Sequence, residues 1–132
     1  MKKLFPILIL LTSCSGSYVQ TGSTKSEYPL PDMSFKCDTS AELEVPPKLI
    51  RGRLPVYPAQ FLVRNKEGYS VVSFIVDKNG NVKDIKNKDS SNLLFFTRTR
   101  AAVSKWIFEP GIKDGMPVNV ECEHMEEYKI RP

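Results

Sequence analysis

From Tyr69 to Asp77 the chain alternates. Ser70, Val72, Phe74 and Val76 share one face, and Tyr69, Val71, Ser73 and Ile75 the other, the period of two that predicts a β-strand. Asp77-Lys78-Asn79-Gly80-Asn81 follows, an Asn-Gly pair between two apolar runs and hence a hairpin signal. The second strand is expected over Asn81–Lys88. Its apolar residues Val82 and Ile85 lie three apart, and both can face inward only if the strand bulges. Alternation resumes at Pro117, with Val118, Val120, Cys122, His124, Tyr128 and Ile130 on one face and Asn119, Glu121 and Glu123 on the other. Between these runs, Phe95, Thr99, Ala102, Val103 and Trp106 fall at helical spacing. Asp89-Ser90-Ser91 supplies cap residues at the start of that helix, and Pro110-Gly111 stops it. The helix is therefore predicted to carry Trp106, the only Trp, and Phe108 at its C-terminal end. An indole buries a large apolar area, so Trp106 is expected to pin helix to sheet.

Upstream, each residue preceding a proline in Leu54-Pro55-Val56-Tyr57-Pro58 is pushed out of the helical region, which makes this segment extended. Pro58 suits the first position of a short helix, Ala59 to Asn65, closed by Gly68. Asp114-Gly115 marks a further turn. The order of elements predicts an α+β fold over residues 46–132: a small three-stranded antiparallel sheet with one long and one short helix on one face. The last strand, Pro117 to Tyr128, is expected to be the sheet's open edge.

The first residues form a leader rather than part of the domain. Met1-Lys2-Lys3 is a basic head, Leu4 to Leu11 an apolar run broken by Pro6, and Thr12-Ser13-Cys14 its close, the shape of a secretory signal over residues 1–13. The run falls well short of the roughly 18 to 20 residues that span a bilayer. Leu11-Thr12-Ser13-Cys14 also resembles the lipobox of bacterial lipoproteins, in which the Cys becomes a lipid-bearing N-terminus. Lipidation at Cys14 is the expectation, and an ordinary secretory signal is the other reading. Residues 14–45, rich in Ser, Thr, Gly and Pro, read as a linker, with Tyr28, Met33 and Phe35 apolar enough to pack on the domain. The formal charge of +4 includes Lys2 and Lys3, and no acid precedes Cys14, so the exported chain carries +2. That mild charge, with no basic cluster interleaved with aromatics, gives no case for nucleic acid. Beside Cys14 the chain has Cys37 and Cys122, an even pair in an oxidising compartment. They are either bridged, which is the expectation, or two separate thiols. Neither belongs to a Cys-x-x-Cys arrangement.

Taken in order, Tyr57-Pro58-Ala59, Glu67-Gly68 before the Val72/Phe74/Val76 strand, Asp77 with Asn79-Gly80, Ser90-Ser91, Phe95, Ala102, Trp106-Ile107-Phe108-Glu109-Pro110-Gly111 and Gly115-Met116-Pro117-Val118 resemble the C-terminal domain of the TonB family. The resemblance covers about residues 46–132. It implies a periplasmic domain that binds a short segment near the N-terminus of outer-membrane transporters, added as an extra strand to the sheet edge. Carried onto this chain, the peptide-binding residues are Val56, Tyr57, Pro58, Val118, Val120, Cys122 and His124. The family's Gln-Tyr-Pro element reads Val56-Tyr57-Pro58 here. TonB proper has a membrane-spanning N-terminal helix coupled to a proton motor and a long Pro-rich spacer. In their place this chain has the leader, Cys14 and a short linker, and so resembles the receptor-binding half without the engine. Ser15 is not the Asp that holds enterobacterial lipoproteins in the inner membrane, so anchoring at the outer membrane is expected by resemblance.

Two functions follow as expectations. One is a lipid-anchored periplasmic module that binds a protein or peptide by strand addition. The other is a structural envelope interaction or assembly protein that reuses the fold and self-associates, as a homodimer, through the apolar outer face of Tyr69, Val71 and Ile75. An enzyme is not expected. There is one His, no spaced Ser/His/Asp set and no metal-ligand cluster, and no cofactor is implied. Glu121, Glu123, Glu126 and Glu127 read as acids of a solvated face.

Overall fold

The computed structural model describes residues 33–38 and 42–131. The leader, Cys14 and most of the segment read as linker lie outside these described residues. In chain order the elements are β1 (Phe35–Cys37), β2 (Lys48–Arg51), α1 (Ala59–Leu62), β3 (Gly68–Val76), β4 (Val82–Ser90), α2 (Leu93–Val103), β5 (Ile107–Glu109), β6 (Gly111–Lys113), β7 (Met116–Val118) and β8 (Val120–Tyr128). The main sheet is antiparallel and four-stranded, in the order β1-β8-β3-β4, rather than three-stranded. Two-stranded ladders β2-β5 and β6-β7 flank it.

The alternating runs form strands as their periods require. Ser70, Val72, Phe74 and Val76 of β3 and Val120, Cys122, His124 and Tyr128 of β8 are all buried, and the two strands pair along nine residues, from Gly68↔Tyr128 to Val76↔Val120. The β3–β4 register slips between Ser73 and Ile75, where Asp84 takes φ 53°. This is the bulge that the spacing of Val82 and Ile85 demands. At the tip of that hairpin, Asp77 Oδ1 accepts from the amides of Asn79 and Asn81, both at 2.9 Å. Gly80 takes φ +83°, and a Cβ there would lie 1.9 Å from the Phe108 carbonyl oxygen. Only glycine meets both demands, and it lets the Gly80 carbonyl accept from Phe108 N–H at 2.8 Å. In the β6–β7 turn Asp114 and Gly115 both have positive φ, as a two-residue hairpin turn needs.

Helix boundaries depart from the sequence expectation. Asn92, not the Asp89–Ser91 run, caps α2, its side chain accepting from Leu94 N–H at 2.9 Å; Asp89 and Ser90 belong to β4. The buried face is Phe95, Thr99 and Val103, with Ala102 half-buried. α2 ends at Val103. A tight turn follows, with Trp106 N–H on the Val103 carbonyl at 3.0 Å, and Phe108 lies on β5 opposite Leu49. Helix α1 is closed by Asn65 at φ 53°, with Lys66 N–H on the Phe61 carbonyl and Asn65 N–H on that of Leu62, a Schellman-type end. Gly68 instead opens β3.

The core has two parts. Trp106 is fully buried and meets Phe74 of β3, Phe108 of β5 and His124 of β8 with ring centroids 6.2, 6.3 and 4.9 Å away. It thus pins the sheet from the turn after the helix, not from within it. Phe61, Phe95 and Tyr128 form a second cluster, with Phe95 stacked on Tyr128 at 4.5 Å.

Candidate functional site

Over Glu121–His124 the last strand is not an edge. β8 lies inside the sheet, between β3 and the short β1 that the segment read as linker supplies. β1 pairs in the register Phe35↔His124, Lys36↔Glu123 and Cys37↔Cys122, extended by Asp38 N–H on the Glu121 carbonyl at 2.8 Å. Cys37 and Cys122 are direct neighbours across this ladder and are bridged, closing a sequence separation of 85 residues. The expected disulfide is present. Met33 is buried in the main core, Phe35 meets Phe108 edge-on at 5.3 Å, and the Ser34 carbonyl lies 2.7 Å from His124 Nδ1. The signal was Met33-x-Phe35-x-Cys37, an alternation of three apolar residues. It is too short to mark a strand on its own.

The other edge, β4, is a poor acceptor. It bears Lys83, Lys86 and Lys88 and two register shifts, devices that blunt an exposed strand against pairing. Lys88 pairs with Glu123 across the outer face, and Tyr69 Oη donates to Asp89 Oδ2 at 3.1 Å. Tyr69, Val71 and Ile75, expected as an apolar outer face, are each half-buried among these charged neighbours.

The residues carried over from the resemblance are divided between the two ends of β8 and its buried face. Val120, Cys122 and His124 point into the core, with 4 %, 2 % and 3 % of their surface exposed. Their side chains are not presented to a ligand, so only their main chain can contribute to recognition. His124 Nε2 lies 2.9 Å from Glu126 Oε1, so both ring nitrogens are engaged by oxygens of this chain. Val118 is on β7, which Asn119 separates from β8. Val56, Tyr57 and Pro58 are at the far end. Tyr57 is edge-on to Tyr128 at 5.5 Å and donates to the Lys66 carbonyl at 2.6 Å; Pro58 is buried and Val56 exposed. β8 spans nine residues, about 30 Å at the rise of a strand, so Val56–Pro58 and Val118 do not form one patch.

Burial pushes the Tyr128 phenol up to about 12. Its hydroxyl lies 2.8 Å from Thr99 Oγ1 and donates to the Phe95 carbonyl at 3.3 Å, which fixes the end of β8 on α2. Among the described residues no group of three or more His, Cys, Asp or Glu could hold a metal ion, and no helix is long and apolar enough to cross a membrane.

A concavity of about 490 Å³ lies between the segment after β2 and helix α2, lined by Arg51, Arg53, Leu54, Val56, Arg98 and Lys105 among others. Its basic residues come from three separated stretches, a grouping no local pattern announces.

Comparison with known proteins agrees with this architecture. Residues 53–130 match the family model described as Gram-negative bacterial TonB protein C-terminal. Protein TonB of Pseudomonas aeruginosa is 34% identical over 84 residues, which is 63% of this chain but only 25% of that protein. The chain thus matches about a quarter of its curated relative's length. The solution NMR structure of the Pseudomonas aeruginosa TonB CTD superposes with a TM-score of 0.58 at 32% identity, covering 65% of this chain and 88% of that one. The family match, residues 53–130, contains β3, α2 and β8 and excludes β1 and Cys37. On this evidence the chain belongs to the TonB C-terminal domain family.

Proposed function

We propose that this is an envelope protein-binding module that takes an extended segment of a partner as an added strand along the outer side of β8, where β1 now lies. The observation that carries the reading is the chain's own Phe35–Cys37, hydrogen-bonded there in antiparallel register. An edge that accepts one strand by main-chain bonds, with an apolar residue at alternate positions, is suited to accept another. Membership of the TonB C-terminal domain family supports a partner of the transporter kind, and the leader with Cys14 supports a lipid tether in the periplasm at the outer membrane. Because β1 holds the site, the partner competes with it, and the Cys37–Cys122 bridge favours the resident strand.

The test uses the exported chain, isotopically labelled, with and without the paired substitutions Cys37→Ala and Cys122→Ala. It is titrated with transporter N-terminal peptides and with a synthetic copy of residues 32–38. Amide shifts at Glu121 and Glu123 in the unbridged protein, weaker or absent in the bridged one, are expected. No shift in either form at millimolar peptide overturns the reading.

A further inference from the structure

We infer that the basic cleft between the Gly52–Val56 segment and α2 is a second docking surface, for an acidic, extended polypeptide segment with apolar residues between its carboxylates. The inference rests on this cleft alone and not on strand addition at β8. Arg51 stands at the end of β2, Arg53 in the segment after it, Arg98 on α2 and Lys105 just past its end; all four line the cleft and no acidic residue does. Among the described residues none of the four has a carboxylate within ion-pair distance. Unneutralised cations around one concavity set up a field that attracts a negatively charged ligand and speeds its arrival.

The wall between them is apolar, stiff and backbone-rich. Leu54 and Val56 are 49% and 69% exposed, more than a residue with an internal partner would be. The segment cannot collapse inward. A Cβ on Gly52 would lie 2.8 Å from Trp106 Cδ1, so the main chain is already flat against the indole, and Trp106 Nε1 donates to the Arg53 carbonyl at 3.1 Å. Among the described residues, the main-chain groups of Leu54 and Val56 have no backbone partner, and Leu54-Pro55-Val56 belongs to no strand or helix. An extended guest can therefore lay apolar side chains against Leu54 and Val56 while its carboxylates reach Arg51, Arg53, Arg98 and Lys105. Guanidinium groups suit this task because they bind carboxylates with paired, planar donors. A purely apolar guest would leave four cations beside it without partners.

The experiment uses the full exported chain and two fluorescein-labelled peptides, Asp-Glu-Val-Glu-Leu-Asp and its neutral counterpart Asn-Gln-Val-Gln-Leu-Asn, followed by anisotropy and by amide shifts. The acidic peptide is expected to bind at least tenfold more tightly than the neutral one, to shift Gly52, Leu54, Ala101 and Ala102, and to weaken severalfold as salt rises, because screening shortens the reach of exposed charges. The double variant Arg98→Glu, Lys105→Glu changes only exposed side chains, and its native amide spectrum will confirm its fold. It should weaken the acidic peptide at least tenfold and leave the Glu121 and Glu123 amides unmoved. Equal binding of both peptides overturns the inference, as does unchanged affinity in the variant. Partition of the wild-type chain onto phosphatidylglycerol vesicles without acidic-peptide binding also overturns it and makes the occupant a membrane surface. Loss of strand addition at β8 with this binding intact, or the reverse, separates the two sites.

Discussion

Removing the Cys37–Cys122 bridge is the sharpest perturbation of this fold, because the bridge joins the segment most weakly held by other forces to the middle of the sheet. Alanine at both positions avoids placing a hydroxyl in the core, where Cys122 is 2% exposed. The bridge spans 85 residues, and freeing the unfolded chain from a loop of that length is worth up to about 4–5 kcal/mol in the chain-entropy account. A second, local effect is expected. Ordering residues 33–38 costs about 6–12 kcal/mol of backbone entropy. Burial of Met33 and part-burial of Phe35 return roughly 2–5 kcal/mol, and a few ladder hydrogen bonds about 2–5 kcal/mol. The sum is near zero, so without the bridge β1 should detach from β8 while the rest stays folded. Guanidinium unfolding followed by Trp106 fluorescence measures the global loss, and native-state hydrogen exchange measures the local one. The amide of Asp38, bonded to the Glu121 carbonyl, should exchange by a low-energy opening in the variant, while Val72 and Phe74 retain their protection. If the variant loses less than about 1 kcal/mol of the stability expected, and Asp38 stays as protected as Val72, the bridge is not what holds β1.

Three further outcomes are expected. Gly80→Ala puts a methyl 1.9 Å from the Phe108 carbonyl oxygen at φ +83°, and should destabilise by more than about 2 kcal/mol in thermal unfolding; a neutral result would mean that the hairpin tip does not dock on β5. Ser70 is fully buried and, among the described residues, its hydroxyl has no partner, so Ser70→Ala should be neutral or stabilising by up to about 1 kcal/mol, and a clear loss in chemical denaturation would reveal a hidden bond. The Tyr128 phenol is raised to about 12 by burial, so its contribution is fully present below pH 10 and declines as pH rises from 10 toward 12. That decline, up to about 2–3 kcal/mol, should be absent in Tyr128→Phe, and equal alkaline loss in both proteins would refute the assignment.

Much of the fold was legible locally. The alternation of Ser70 to Val76 and of Val120 to Tyr128 named the buried faces, the three-residue spacing of Val82 and Ile85 named the bulge, and Asp114-Gly115 named a turn. Each of these is a property of one segment, written in the period at which its side chains must meet a common surface. The end of α2 was not legible, because Trp106 falls on the helical period of Phe95 and Thr99 yet is held instead by Phe74, Phe108 and His124 from other strands.

Which strand lies beside which is a property of distant pairs. The sequence by itself determined the three long strands, the body of the long helix, the Asn79-Gly80 and Asp114-Gly115 turns and the presence of two cysteines able to bridge. Only the tertiary structure decided that β8 is internal, that Phe35–Cys37 is its neighbour, and that Arg51, Arg53, Arg98 and Lys105 surround one cleft. Three residues of alternation hold too little pattern to distinguish a strand from a loop. β1 exists because Met33 and Phe35 find apolar surface built by distant residues, Phe108 against Phe35 among them, and because a covalent bond offsets the entropy of keeping them there.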